Sequence, residues 1–120
     1  MKTRNEIVIR SKEFAVRIVK LSQFLEKQKN FAIVKQIIRS GTSIGANIHE
    51  AQSSDTKKDF AYKMNIALKE ARETEYWIDI LIESEIVPQS RLSDLKSEIE
   101  ELIKMLIAII KTAHVNQKEK

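Results

Sequence analysis

One stripe of polar side chains in the sequence has a spacing that could support chemistry. The stripe comprises Arg39, Ser43, Asn47 and Glu50, which recur at intervals of three and four residues. A helix would place these side chains on one narrow face, where they could contact a ligand or RNA. They could instead form a hydrogen-bonded seam in which a carboxylate of a neighbouring helix holds the guanidinium and fixes the helix register. We favour the seam, with Glu70 and Thr74 as partners on a later helix.

The two histidines lack the companions that helical active sites require. Neither His49 nor His114 has an acidic residue three positions before it, so the Glu-x-x-His pairs of a di-iron bundle are missing. Neither histidine follows an arginine at the distance of the Arg-x(4–6)-His pattern found in small helical ribonucleases. The chain also has no cysteine, no glycine-rich phosphate loop and no Ser/His/Asp grouping. The sequence therefore predicts no catalytic residue, no metal site, no cofactor and no enzymatic activity.

Basic residues are concentrated near the start of the chain. Residues 1–35 contain nine Lys or Arg against three Glu, whereas residues 57–85 contain five basic and seven acidic residues. The candidate contacts to RNA or DNA are Arg10, Arg17, Lys20 and Lys27, which cover one broad side of the first predicted helix. Ordinary solvated helix faces would explain the same charges. The functional interpretation is a basic surface that meets nucleic acid or an acidic partner.

The elements that must position these residues are all helical. Two glycines and one proline in 120 residues are too few for a sheet with many turns, and apolar residues recur at helical spacing. Helices are predicted over about 11–28, 31–52, 56–84 and 89–114, after a lead-in at 1–9. Asn30 and Thr56 are the predicted N-caps. The fold class is all-α, an up-down four-helix bundle that forms a single domain over 1–120.

Composition also bears on the cellular location. No apolar segment is long enough to cross a bilayer, so no membrane partner is expected. The absence of cysteine fits a reducing compartment. We therefore expect a cytoplasmic protein.

Both glycines of the chain lie on the apolar side of the second predicted helix. A glycine inside a helix costs roughly 0.5–1 kcal/mol relative to alanine. Gly41 and Gly45 therefore indicate that a neighbouring backbone comes very close to this helix. We expect Ala67 and Ala71 of the third helix to lie opposite the two glycines.

Some apolar side chains exceed what a small bundle needs for its own core. Val16 and Val19 fall on a different side of the first helix from its main apolar stripe, and the second half of the last helix is apolar almost all round. Such a surplus often marks a subunit interface. The predicted contacts to other copies of the chain are Val16, Val19, Ile103, Ile107 and Ile110.

Three segments in the middle of the chain resemble a known family. They are Gln-Ile-Ile-Arg-Ser-Gly-Thr-Ser-Ile-Gly-Ala-Asn-Ile-His-Glu-Ala at 36–51, the stretch from Ser54 to Phe60, and Ile-Ala-Leu-Lys-Glu-Ala-Arg-Glu-Thr at 66–74. This pattern is similar to that of bacterial four-helix bundle proteins of the 23S ribosomal RNA intervening-sequence family. The same family includes the accessory variability determinant of diversity-generating retroelements. Many members have proline where this chain has Gly45.

The resemblance implies an up-down four-helix bundle that assembles into a five-fold ring. It also implies, from the retroelement member, contacts with a reverse transcriptase and with nucleic acid. We therefore expect a bacterial homopentamer that acts as a non-catalytic adaptor and binds RNA or DNA through its basic surface. The alternative is a structural or protein-interaction oligomer that partners another protein, for example a reverse transcriptase, without touching nucleic acid.

Overall fold

Four α-helices in sequence form the protein. The computed structural model describes residues 2–118, with side-chain surroundings for residues 5–114. The helices are α1 (Lys2–Lys27), α2 (Phe31–Ala51), α3 (Lys57–Ser84) and α4 (Gln89–Lys118). Each helix packs against the next along the chain, and α4 returns to contact α1, although less extensively. The predicted all-α, up-down four-helix bundle is confirmed, and the molecule measures 52 × 20 × 20 Å.

A single apolar core runs along the bundle axis. Its fully buried members include Phe14, Ile44, Met64, Ile78 and Ile99, which represent all four helices. Each belongs to a stripe that recurs at intervals of three and four residues, so one face of every helix turns inward. Within the described residues, no helix is long and apolar enough to cross a membrane.

The first and last helices are longer than predicted. α1 begins at Lys2 rather than near residue 11, so the predicted lead-in at 1–9 is wrong. Ile7 is fully buried two turns before Phe14, and this contact gives the extra turns a share of the core. At the other end, α4 continues to Lys118 rather than ending near residue 114. Ala113 is still buried there, so α4 packs against the bundle almost to the predicted end.

The two predicted N-caps have different outcomes. Thr56 caps α3 as expected, since its side chain accepts a hydrogen bond from the backbone N–H of Asp59 at 3.0 Å. Asn30 occupies the predicted N-cap position of α2, where its carbonyl accepts from the backbone N–H of Val34 at 3.2 Å, but its side chain makes no cap hydrogen bond, so that part of the prediction is wrong. Its backbone N–H donates to the carbonyl of Leu25 at 3.0 Å, while the backbone N–H of Lys29, at φ 63°, donates to Glu26 at 2.9 Å. These two bonds close α1 with a Schellman motif, so the backbone of Asn30 takes part in both the end of α1 and the start of α2.

The glycines of α2 allow α1, not α3, to approach closely. A Cβ atom at Gly41 would lie 2.9 Å from both Cγ atoms of Ile18, and one at Gly45 would lie 3.2 Å from the carbonyl oxygen of Ser11. The predicted close approach of a neighbouring helix is therefore confirmed. The expectation that Ala67 and Ala71 lie opposite the glycines is wrong, since the neighbour is α1.

Candidate functional site

Arg39 fixes one level of the polar stripe of α2 to α3. Its guanidinium contacts Glu70 Oε1 at 3.3 Å and also donates to the carboxylate of Glu73. Glu73 in turn accepts a hydrogen bond from the indole N–H of Trp77 at 3.0 Å. The structure brings together Arg39 and Glu70, as predicted, and adds Glu73, which sequence reasoning missed although it lies one turn after Glu70.

The other members of the stripe do not form a continuous seam. Ser43 donates to the backbone carbonyl of Arg39 at 2.6 Å, and Asn47 donates to that of Ser43 at 2.8 Å, so both bond within α2. Glu50 lies 3.6 Å from the ammonium of Lys63 on α3. Ion pairs at two separate levels, with locally satisfied side chains between them, hold the two helices together.

A buried polar pair between the same helices was not predicted. Ser40 and Thr74 are fully buried, and their hydroxyl oxygens share a hydrogen bond of 2.9 Å. The Thr74 hydroxyl oxygen also lies 2.8 Å from the carbonyl oxygen of Glu70. Thr74 was predicted to be a partner of the polar stripe, but it faces the core and bonds with Ser40, which is not a member of the stripe. The Ser40–Thr74 hydrogen bond helps to fix the α2–α3 register inside the bundle. Arg39, the residue before Ser40, holds the same two helices at the surface.

Neither histidine belongs to a constellation that could carry catalysis. His49 and His114 are both exposed. Among the residues whose side chains are described, no group of three His, Cys, Asp or Glu is arranged to hold a metal ion.

Arg10 belongs to the bundle rather than to an open basic surface. Its Nε and Nη2 atoms donate to the two carboxylate oxygens of Glu98 on α4, at 3.0 and 2.8 Å. The hydrogen bonds with Glu98 raise the pKa of Arg10 despite partial burial, which acts in the opposite direction. This bidentate pair joins α1 to α4 and uses the donors that a phosphate would need. Arg10 is therefore not part of the candidate nucleic-acid surface.

Lys96 of α4 ties α4 to α3 through two ion pairs. The Lys96 ammonium donates to Asp79 at 2.7 Å and to Glu75 at 3.3 Å. Burial by itself would lower the pKa of Lys96, but the hydrogen bonds with Asp79 and Glu75 outweigh it, and the net direction is upward from 10.5. The protonated lysine therefore stabilises the folded bundle.

Two of the predicted contacts to nucleic acid, Arg17 and Lys20, border a shallow groove between α1 and α4. We call this the basic groove; it is lined by Arg17, Lys20, Leu21, Arg91 and Leu95 and has a volume of about 200 Å³. Arg17 lies 3.8 Å from the exposed carboxylate of Asp94, a long and weak ion pair. Arg91, which sequence reasoning missed because it comes from α4, packs its guanidinium 4.1 Å above the ring of Phe24. The groove thus combines three cations with a small apolar floor.

The predicted subunit interface is only partly on the surface. Val16 and Val19 are 49% and 40% exposed, and Ile107 is 43% exposed. Ile103 and Ile110 are instead buried in the protein's own core, so they are not available to another copy. The apolar band of α4 therefore serves mainly the bundle itself, because both α1 and α3 cover it.

Two comparisons place this four-helix unit among known proteins. The family described as 23S rRNA-intervening sequence protein matches residues 3–108. A crystal structure of a protein with unknown function from the S23 ribosomal protein family of Bacteroides thetaiotaomicron is 50% identical, with a TM-score of 0.87. That similarity covers 91% of this chain and 98% of the other. No curated protein matches the chain.

Proposed function

Because the chain belongs to the 23S rRNA-intervening sequence protein family, we propose that it is a non-catalytic adaptor that binds nucleic acid as a homo-oligomer. The observation that carries this proposal is the basic groove, where Arg17, Lys20 and Arg91 converge beside an apolar floor. Lys27 lies two turns after Lys20 and extends the same side of α1. Phosphates are the ligands that such a row of cations favours.

The charges of this surface are weakly compensated. Asp94 is the carboxylate near the groove, and it lies 3.8 Å from Arg17 while remaining mostly exposed. Exposed ion pairs of this kind contribute little and exchange readily with other partners. Within the described residues, Lys20 and Lys27 have no carboxylate within ion-pair distance and are exposed. A polyanion could therefore bind Lys20 and Lys27 without breaking an ion pair of the bundle.

The exposed apolar side chains support self-assembly through two different patches. Val16 and Val19 lie on the outer side of α1. Ile107 lies three helical turns after Lys96, on the side of α4 that turns toward α3, and so away from the α1 patch. Contacts between unlike patches are heterologous, and such contacts form a ring when the rotation between neighbouring copies closes. A pentameric ring would repeat the basic groove five times and strengthen a weak local attraction.

Light scattering of the wild-type chain at micromolar concentration tests the assembly. We expect a stable oligomer, and we expect Val16→Glu/Val19→Glu to shift it toward the monomer because two buried charges would disfavour the contact. Ala46→Glu, at an exposed position of α2, is the control for added negative charge and should leave the mass unchanged. A wild-type monomer under these conditions would contradict the assembly.

Oligonucleotide titration at two salt concentrations tests nucleic-acid binding. The charge-reversed variant Lys20→Glu/Lys27→Glu should lose roughly an order of magnitude in affinity at low salt and show a shallower salt dependence. Lys12→Glu/Lys35→Glu makes the same change in net charge at exposed positions away from the groove, and it should bind like the wild type. Equal losses in the two variants would mean that only net charge matters.

The outcome also separates the proposal from its alternative. If the wild-type oligomer forms but binds neither RNA nor DNA at low salt, nucleic-acid binding is refuted. The alternative, a protein-interaction oligomer whose partner is another protein such as a reverse transcriptase, would then be the proposal that remains.

A further inference from the structure

We propose that a second surface, the outer face of α3, binds single-stranded nucleic acid by stacking bases on two tyrosines. This outer face consists of Lys58, Tyr62, Lys69, Arg72 and Tyr76, which recur at intervals of three, four and seven residues. This outer face is separate from the basic groove, because α3 lies diagonally across the bundle from α1. Its members come from a segment whose sequence carries more acidic than basic residues.

The bundle separates the charges of α3. Glu70 and Glu73 are drawn to one edge, where both contact Arg39 of α2. Two further carboxylates, those of Glu75 and Asp79, are drawn to the opposite edge by Lys96 of α4. Four carboxylates of α3 are therefore engaged by the neighbouring helices. Glu83, two turns after Tyr76, is exposed at the far end of the same face.

The cations between those edges remain unpaired. Glu73 lies one turn after Lys69 and Glu75 lies one turn after Arg72, positions from which each could have formed an ion pair within the helix. Across the described part of the chain, however, Lys58, Lys69 and Arg72 have no carboxylate within 4.0 Å. Three free cations on one face attract a polyanion, although the segment as a whole is acidic.

Two aromatic rings stand exposed on the same line. Tyr62 is 65% exposed and Tyr76 is 56% exposed, with Lys69 midway between them. Fourteen residues of helix separate the two tyrosines, a distance of about 21 Å. An exposed aromatic ring offers a face on which a base can stack, and the flanking cations suit the phosphates of the same strand.

The geometry favours single strands over duplexes. Base faces are hidden inside a duplex, whereas they are free to stack in a single strand. Stacking on tyrosine contributes roughly tenfold or more in affinity for each base, and neighbouring cations bind the phosphates. A single strand lying along α3 could therefore place bases on Tyr62 and Tyr76 while its backbone passes Lys69 and Arg72.

Fluorescence anisotropy with labelled oligonucleotides tests this assignment. The probes are oligo(dT) of about 12 nucleotides, a duplex of the same length, and an abasic strand that keeps the phosphates but lacks bases. We expect the wild-type protein to prefer oligo(dT) over both of the other probes. Tyr62→Ala/Tyr76→Ala should weaken oligo(dT) binding by roughly a hundredfold, whereas Tyr62→Phe/Tyr76→Phe, which keeps both rings, should bind like the wild type.

The single tryptophan provides an independent spectroscopic signal. Trp77 lies edge-to-face with Tyr76, with ring centroids 5.1 Å apart. A base that stacks on Tyr76 changes the surroundings of this indole, so oligo(dT) should alter the Trp77 emission. The abasic strand should leave the emission unchanged.

The outcomes distinguish this surface from the basic groove. The inference holds if Lys20→Glu/Lys27→Glu keeps both the preference for oligo(dT) and the sensitivity to Tyr62→Ala/Tyr76→Ala. It is overturned if the abasic strand binds as tightly as oligo(dT), or if the tyrosine-to-alanine variant binds as the wild type does. In either of those cases nucleic-acid binding through the basic groove could still be correct. Competition by polyglutamate as strong as by oligo(dT) would show that the face recognises negative charge alone, which also overturns the inference.

Discussion

Replacing Gly41 with alanine isolates the close approach of α1 to α2. The new Cβ would lie 2.9 Å from both Cγ atoms of Ile18 and 3.3 Å from its Cβ, closer than side-chain atoms pack without movement. Ile18 is fully buried and β-branched, so its χ1 angle has little freedom to adjust. Relief of the contact therefore requires α1 to move away from α2, which would loosen packing along the interface.

Two opposing effects determine the sign of this change. Alanine is favoured over glycine within a helix by about 1 kcal/mol. Overpacking a core position costs about 1–3 kcal/mol. Because the contact involves a rigid branched side chain, we expect overpacking to prevail and Gly41→Ala to lower the free energy of unfolding by about 1 kcal/mol. For a chain of this size, the corresponding decrease in Tm is about 4 °C.

Thermal unfolding followed by circular dichroism measures the effect, and a matched control calibrates it. Ala46 is exposed on the same helix, so Ala46→Gly reports the helix propensity without a packing contribution and should cost about 1 kcal/mol. If Gly41→Ala raises Tm by as much as Ala46→Gly lowers it, propensity alone is at work and the close-approach argument is refuted. In a double-mutant cycle, Ile18→Ala should cost less in the Gly41→Ala background than in the wild type, because it removes the atoms that the new methyl group meets.

Three further predictions concern the free energy of unfolding. Thr74→Val leaves the buried Ser40 hydroxyl without its partner and should cost about 1–3 kcal/mol in denaturant titration, whereas adding Ser40→Ala should recover part of the loss; an additive double mutant would contradict the pair. The pKa of Lys96 is raised in the folded state, so its stabilisation is complete below the unfolded value of about 10.4 and is lost as pH rises through the folded pKa. Lys96→Met should therefore reduce the loss of Tm above that pH, and an unchanged pH profile would refute this role. Lys29 holds a left-handed conformation at the end of α1, so Lys29→Gly should raise stability by about 0.5–1 kcal/mol; a lower Tm would show that the conformation is not strained.

The sequence predicted those features that depend on one helix at a time. The period of the apolar residues predicted four helices and their buried faces, because a side chain's place around a helix follows from its number. The Thr56 cap was predictable because its partner, Asp59, lies only three residues away. The link from Arg39 to Glu70 was also predictable, since both lie at the polar edge of their helices.

Features that depend on which helix lies next to which could not be predicted in this way. The guanidinium of Arg10 is a group that commonly binds phosphate, yet its partner is the carboxylate of Glu98, which lies 88 residues away on α4. The glycines indicated a close neighbour, but only packing decided that the neighbour was α1. On a helical wheel, Ile103 and Ile110 lie outside the main apolar stripe of α4. They are nevertheless buried, because the neighbouring helices cover a wider part of α4 than that stripe.

The charge pattern of α3 shows the same division most clearly. The sequence by itself predicted a helix over about 56–84 and showed that residues 57–85 carry more acidic than basic side chains. Only the tertiary structure decided where those charges act, because Arg39 and Lys96 on the flanking helices draw the carboxylates to the edges. Ion pairing between helices depends on distances across the bundle, which periodicity along one helix does not encode. The outer face of α3 is therefore basic and aromatic in the folded protein, although its segment is acidic in sequence.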